Sequence, residues 1–148
     1  MEAVHPALAG LGPDVLVDPL DLDEVVRRAR RLPPDLALGE LLLDQRVAAG
    51  IGNIYRTESL FLEGHSPWAP QSAIGDDDLG RLVTTASRLM KRQLGPFRPA
   101  WPERRDSREP RWVYRRAGRP CRRCGAIIQS KPQGELARIA YWCPTCQP

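Results

Sequence analysis

Two short stretches near the carboxyl end, Cys121-Arg122-Arg123-Cys124 and Cys143-Pro144-Thr145-Cys146, decide the fold of that part of the chain. They contain the only four cysteines of the 148 residues, and eighteen residues separate the two pairs. Two pairs of this kind, at this separation, are typical of a four-cysteine zinc site. Four thiolates complete the tetrahedral shell of zinc and leave no open position, so we expect a structural ion.

The alternative for the same cysteines is a pair of disulfides, which would require an oxidising compartment. The chain shows no charged-then-apolar leader and no apolar run of membrane-spanning length. We therefore predict zinc at Cys121, Cys124, Cys143 and Cys146 in a cytoplasmic protein without a membrane partner. The predicted finger, residues 112–148, is also short enough that a metal is expected to support its fold.

Charge is divided unevenly along the chain, although its net value is only +4. Residues 1–87 have seven arginines and fourteen acidic residues, a net −7, whereas residues 88–148 have fifteen basic and four acidic residues, a net +11. The alternative is a solvated basic surface, which single charge runs usually are. Because the excess surrounds the cysteine pairs, it favours binding to a polyanion such as a nucleic acid.

Apolar periodicity predicts helices in the first two thirds of the chain. Residues 21–23 have the form of a capped helix start, and two prolines at 33–34 end that helix. The apolar stretch 36–47 predicts a second, buried helix. Three aspartates at 76–78 open the longest periodic stretch, and the helix dipole explains them better than a metal site does.

A turn with two glycines, Gly50-Ile51-Gly52, leads into a third predicted helix that starts with Asn53 and Ile54. Glycine allows a tight turn and a close backbone approach. Asn53 is well suited to cap the helix, and free N–H groups at such a start form a phosphate site. Taken alone, a two-glycine turn between helices is structural more often than functional.

Residues 98–111 have three prolines among charged residues, a composition typical of a linker. We predict a helical domain at 11–97, a linker at 98–111 and the finger at 112–148. Short strands are expected in the finger at 112–114, 127–128 and 136–142. The predicted fold class is mainly α with a small β zinc-ribbon module.

Together, the glycine turn and the finger resemble the formamidopyrimidine-DNA glycosylase and endonuclease VIII family. The first motif is Leu43-Asp44-Gln45 through Gly50-Ile51-Gly52-Asn53-Ile54-Tyr55, and the second is the cysteine finger with Arg138 inside it. The resemblance extends from Leu11 to Gln147. It implies a helix–two-turn–helix bundle followed by a four-cysteine zinc finger hairpin.

Members of this family are base-excision repair enzymes that remove a damaged base and nick the abasic strand. The resemblance implies double-stranded DNA, damaged or abasic, as the partner of a nucleoid-associated protein. It implies DNA contacts from Asn53, Arg138, Gly52 and Arg46, and a part for Arg138 in δ-elimination. A guanidinium is a poor acid because its pKa lies above about 12, so we expect Arg138 to act by electrostatic stabilisation.

The family's nucleophile is an amino-terminal proline in a β-sandwich domain, and the 148 residues contain no counterpart of either. An imine mechanism requires a free amine, for which only the Met1 α-amine, Lys91 and Lys131 are available. Whether the chain is an enzyme therefore stays open. It is either a DNA-binding part that does not cut, or half of a glycosylase and lyase that a separately encoded catalytic domain completes. A non-catalytic zinc-ribbon DNA-binding or interaction protein is the alternative.

Overall fold

The computed structural model describes residues 10–93 and 111–148. Within them, four α-helices precede one antiparallel hairpin: α1 Leu22–Arg30, α2 Leu38–Leu43, α3 Asn53–Glu63, α4 Asp76–Gln93, β1 Gln129–Gln133 and β2 Arg138–Trp142. A single 3₁₀ turn, Gln71–Ala73, lies before α4. The predicted fold class, mainly helical with a small β module that holds the cysteines, is confirmed. The predicted linker lies outside the described residues, apart from Arg111.

The first and last helices begin where the sequence predicts. The Asp21 carboxylate caps α1 and accepts a hydrogen bond from the Glu24 N–H at 3.1 Å. The buried amide of Gln71 donates to the carbonyl of Ala29 in the last turn of α1 and to the carbonyl of Leu32 just beyond the helix. The three aspartates fill the first turn of α4, where the helix dipole favours negative charge.

The second helix is shorter than predicted, because it ends at Leu43 and not near Val47. The Asp44 carboxylate accepts a hydrogen bond from the Arg46 N–H at 3.0 Å, and the Gln45 side-chain oxygen accepts one from the Gly50 N–H at 2.8 Å. Such side chain–backbone bonds compete with helix and favour turns. Val47 is nevertheless buried, so the apolar pattern predicted its burial correctly and its helix incorrectly.

A single apolar core joins the four helices and the glycine turn. The backbone at Gly12 packs directly against the backbone at Val47. Only glycine allows this, because a Cβ at position 12 would lie 2.4 Å from the Val47 carbonyl oxygen. The described buried members of this core are Val15, Val25, Ala29, Leu38, Leu41, Leu42, Val47, Ala48, Ile51, Leu60, Leu79, Leu82, Val83, Ala86 and Met90. This core fixes the start of α3 relative to the other helices.

The segment 112–114 bends and leads into a turn, so the strand predicted there is wrong. Its three successive N–H groups donate to the carboxylate of Glu58, a residue of α3 that is 6% exposed, at 2.8 to 3.0 Å. These groups are therefore not available for a sheet. The strand predicted at 127–128 is reduced to one isolated bridge between Ile127 and Pro120.

The hairpin pairs Gln129 with Trp142 at one end and Gln133 with Arg138 at the other. Its tip, residues 134–137, turns through positive φ at Gly134 (78°) and Ala137 (52°). Arg138 is thus the first residue after the tip. Throughout the described ranges, every helix is too short or too polar to cross a membrane.

Candidate nucleic-acid interface and metal centre

The structure brings the four cysteines together at metal-ligand spacing. Their Sγ atoms all lie within 4.8 Å of one another, with 3.4 Å between Cys124 and Cys143 and 4.0 Å between Cys121 and Cys146. A disulfide requires a separation of about 2.0 Å. Four thiolates at about 2.3 Å from one zinc ion are about 3.8 Å apart. The arrangement therefore suits one tetrahedral ion.

Backbone N–H groups turn towards the sulfurs in both cysteine pairs. Arg123 donates to the Cys121 Sγ at 3.3 Å, and Cys146 donates to the Cys143 Sγ at 3.3 Å. Burial by itself raises the pKa of Cys121, but the N–H groups of Cys124 and Arg123 lower it to about 7. At Cys121 these donors stabilise the thiolate form that binds a metal. Burial instead raises the pKa of Cys143 and of Cys146, so a metal ion at this centre would have to displace their protons.

The start of α3 meets the hairpin through Asn53, but not in the predicted way. Gly52 is the N-cap residue, and the Asn53 side chain makes no capping hydrogen bond. Instead, the Asn53 Nδ2 donates to the carbonyl oxygen of Ile139 in β2 at 3.0 Å. The predicted cap is wrong because Gly52 occupies the N-cap position, and the Asn53 side chain is engaged by Ile139 and by Arg56 instead.

Space beside this helix start is open. A Cβ added to Gly52 would meet no atom of the described residues within 4 Å. The first N–H groups of an α-helix have no partner inside the helix, and together with the helix dipole they attract anions. An anion can therefore approach the backbone at Gly52 and Asn53 closely.

Arg56 lies one turn further along α3 and is only 1% exposed. Its Nε donates to the Asn53 Oδ1 at 2.8 Å, its Nη1 to the Gln133 Oε1 at 2.5 Å, and its Nη2 to the Arg138 carbonyl oxygen at 3.4 Å. Burial, and then the charge of Arg138, lower the pKa of Arg56 to about 10, so it stays protonated at neutral pH. Local sequence has no signal for this role, because the partners come from residues 77 and 82 positions away.

Three of the four candidate DNA-binding residues meet at this junction between α3 and the hairpin. Gly52 and Asn53 form the helix start, and Arg138 follows the hairpin tip with an exposed side chain. The carbonyl of Arg138 is tied to α3 through Arg56. The hairpin therefore holds the backbone of Arg138, an exposed residue, against α3 through Arg56.

The fourth candidate, Arg46, lies in the turn before α3, and no described hydrogen bond joins it to Asn53 or Arg138. Its side chain is 64% exposed and pairs with Asp44 through two hydrogen bonds of 3.0 and 2.7 Å. The side-chain hydrogen bond to Arg46 lowers the pKa of Asp44, and the same bond raises the pKa of Arg46. Arg46 is accessible, but its charge is already partly balanced.

The two lysines are engaged elsewhere. The Lys91 ammonium pairs with the Asp18 carboxylate, and the Lys131 ammonium lies 5.4 Å from the centre of the Trp68 ring. Neither lysine thus forms part of the described contacts of Asn53 and Arg138. The backbone carbonyl of His65, a residue that also stands alone in the sequence, accepts a hydrogen bond from the Gln147 side chain at 2.9 Å.

Comparison with known proteins, by family model and by individual relatives, agrees with the family resemblance of the sequence. Residues 11–95 match the family model described as the formamidopyrimidine-DNA glycosylase H2TH domain. The endonuclease 8 2 protein of Mycobacterium tuberculosis is 45% identical over 144 residues, which are 95% of this chain and 53% of that protein. The chain spans about half the length of the curated relatives it matches.

Solved structures share this fold. The crystal structure of the MutM (Fpg) protein of Thermus thermophilus has a TM-score of 0.77 at 29% identity, covering 96% of this chain and 55% of that one. Lactococcus lactis formamidopyrimidine-DNA glycosylase, non-covalently bound to DNA with an AP site, has a TM-score of 0.77 at 24% identity, covering 95% and 52%. The second likeness supports the fold alone. Since the matched family model covers more than half of the 148 residues, the chain belongs to the formamidopyrimidine-DNA glycosylase and endonuclease VIII family.

Proposed function

We propose that this chain is the DNA-gripping part of a base-excision-repair DNA glycosylase and AP lyase. It holds the backbone of damaged or abasic duplex DNA between the start of α3 and the hairpin tip. The observation that carries the proposal is the junction where Gly52, Asn53 and Arg138 meet over the buried Arg56. Family membership supports it.

The chemistry of the junction suits a phosphate and not a base edge. The helix start offers backbone N–H groups, Asn53 retains one side-chain N–H beyond the bond to Ile139, and Arg138 offers a guanidinium. Contacts to phosphates fix the position of a protein on DNA but do not distinguish sequences. The net +11 of residues 88–148 adds sequence-independent attraction.

We propose zinc as the ion of the four-cysteine centre. The donor set fits, since all four sulfurs lie at the spacing of a tetrahedral thiolate shell. When bound, the ion would supply a structural cross-link between the two cysteine pairs. Residues of this chain then attach the finger to α3: Glu58 binds the segment 112–114, and Arg56 binds the hairpin.

The proposed division of the chain is a helix–two-turn–helix domain at 11–97, a linker at 98–111 and a zinc finger at 112–148. Base removal and strand cleavage would belong to the whole protein, with a catalytic domain that lies in the same longer chain or is separately encoded. Arg138 would then stabilise negative charge on the reacting strand. We propose a cytoplasmic location at the nucleoid.

The grip is tested by the salt dependence of binding to a duplex with one abasic-site analogue. If about four phosphates are neutralised, log K falls against log salt with a slope of about −3.6. Replacing Arg138→Ala reduces the size of that slope by about one, without a change in sequence preference. Arg81→Ala is the matched control, because Arg81 is an exposed arginine of α4 that pairs with Asp78. Binding that ignores salt, or equal slopes for Arg138→Ala and the parent, contradicts the grip.

Borohydride trapping on an abasic oligonucleotide tests the division of labour. The 148-residue chain is expected to form no efficient covalent adduct, since Lys91 pairs with Asp18 and Lys131 lies over Trp68. A full-length family member with an amino-terminal proline serves as the positive control. Efficient trapping that maps to Met1, Lys91 or Lys131 would show that this chain carries its own nucleophile.

A further inference from the structure

Arg56 is a buried cation whose described hydrogen-bond partners are all neutral oxygens. The three acceptors are the Asn53 Oδ1, the Gln133 Oε1 and the Arg138 carbonyl. Arginine is seldom fully buried without a carboxylate partner, because desolvation of the charge is costly. Nearby charges act in opposite directions, since Arg138 lowers and Glu40 raises the pKa of Arg56. The fold therefore keeps a positive charge directly beneath the start of α3.

The bond from Arg56 determines how the Asn53 amide is oriented. An asparagine amide has one oxygen and two N–H donors, and its orientation follows from the hydrogen bonds around it. Because the Arg56 Nε donates to Oδ1, the amide nitrogen is turned to the Ile139 carbonyl. The second N–H of that nitrogen is left for a ligand. A reversed amide would direct its oxygen to Ile139 and to the anion.

A second arm of Arg56 fixes the hairpin against the helices. Gln133 is buried, accepts from Arg56 and donates its Nε2 to the Pro67 carbonyl at 2.8 Å. Helix α2 approaches so closely that a Cβ on Gly39 would lie 2.1 Å from the Gln133 Oε1 and 2.7 Å from the Arg56 Nη1. Two helices, one loop and the hairpin therefore meet at this one guanidinium.

We propose that Arg56 is a positioning residue of the phosphate site, which it organises without touching DNA. It orients the Asn53 amide with an N–H outward and holds the Arg138 backbone against α3. The inference rests on the proposed function, since it assumes that Asn53 and Arg138 contact phosphates. Arg56 itself is too deeply buried to reach a ligand.

The test uses the zinc-loaded 148-residue protein and a duplex with one abasic-site analogue, with affinity measured by fluorescence anisotropy. Arg56→Lys keeps the charge but loses the planar fork that reaches three acceptors. We expect binding to weaken about tenfold, the size of one lost charge-assisted hydrogen bond. In an Asn53→Ala background the same change should weaken binding clearly less than about tenfold, because the part of the effect that acts through Asn53 is already lost and only the part that acts through Arg138 remains.

A second readout needs no DNA. The side-chain NH₂ resonances of Asn53 in ¹⁵N–¹H spectra report its hydrogen bonds, and Arg56→Lys should shift them. Glu58→Gln is the matched control, because Glu58 also ties α3 to the finger but binds residues 112–114 and not Asn53. This control should keep both the parent affinity and the Asn53 resonances, at temperatures below its unfolding midpoint and with zinc bound.

Four outcomes overturn the positioning role: parent affinity in Arg56→Lys, unmoved Asn53 resonances, an equal loss in Glu58→Gln, or fully additive effects in the double variant. If Arg56→Lys does not fold, Gly39→Ala displaces both the Gln133 Oε1 and the Arg56 Nη1 without removing the guanidinium, and the same shifts and loss are expected. Parent affinity in Asn53→Ala alone contradicts the proposed phosphate site. In that case the resonances still decide whether Arg56 orients Asn53.

Discussion

The helical part, residues 10–93, and the finger, residues 111–148, are stabilised by different means. Among the described residues, the helical core has fifteen buried apolar members. The cluster of the finger has five, of which two are cysteines and one, Phe61, belongs to α3. Apolar burial can support the first part alone, whereas so small a unit depends on a metal and on its neighbour. The finger therefore depends on the helical part for its stability more than the helical part depends on the finger.

Helix α3 is the element that both parts share. Its start binds the hairpin through Asn53 and Arg56, and its middle binds the segment 112–114 through Glu58. Phe61 near its end stacks on Trp112, with ring centroids 5.2 Å apart. One face of α3 thus contributes to the finger's core through Phe61, and another face contributes to the helical core through Leu60.

Removal of the metal tests this asymmetry most strongly. Zinc binding to finger sites contributes on the order of 10–16 kcal/mol at neutral pH, so chelation should unfold the finger while the helices persist. The measurement is amide exchange or ¹⁵N–¹H spectra before and after a chelator, with zinc content determined by elemental analysis. Collapse of the helical signals together with the finger, or a purified protein that contains no zinc, would contradict the comparison.

Truncation of the shared aromatic residue should have the next largest effect. Phe61→Ala removes the largest apolar side chain that α3 contributes to the finger and is expected to cost about 3–5 kcal/mol. The loss should appear in zinc affinity, measured by chelator competition, more than in the helical signal by circular dichroism. Leu60→Ala is the matched control in the helical core. It should reduce the helical signal more than it reduces zinc affinity. Equal effects on zinc affinity would mean that the two cores are one cooperative unit.

The exposed ion pair of Arg46 and Asp44 should contribute least to the free energy of unfolding. The hydrogen bond from Arg46 lowers the pKa of Asp44 in the folded protein, so its stabilisation is present above the unfolded value near 3.8 and is lost as pH falls through the lower folded value. Because Arg46 is largely exposed, Asp44→Asn should cost less than about 1 kcal/mol at pH 7. Urea unfolding of the parent and of Asp44→Asn, at pH 7 and at pH 3, measures this cost. A cost that does not shrink at pH 3 would point to packing and not to charge.

Much of the fold could be predicted because its signals are local. The Asp21 cap and the acidic first turn of α4 each lie within a few residues of what they determine, and the cysteines of each pair are only three positions apart. Errors arose where a side chain found a distant or competing partner. Asp44 ends α2 through its own turn, and Glu58 takes the N–H groups that a strand at 112–114 would have used. Apolar pattern alone does not contain these competitions.

Covalent order and periodicity by themselves determined that this chain has buried helices, a glycine turn before α3 and four cysteines in two pairs suited to one ion. The tertiary structure decided what the polar side chains at the junction do. Asn53 binds Ile139 from 86 positions away, and Arg56 binds Gln133 from 77 positions away. A buried polar group must find a partner wherever the fold places one, and no local pattern specifies which residue that is.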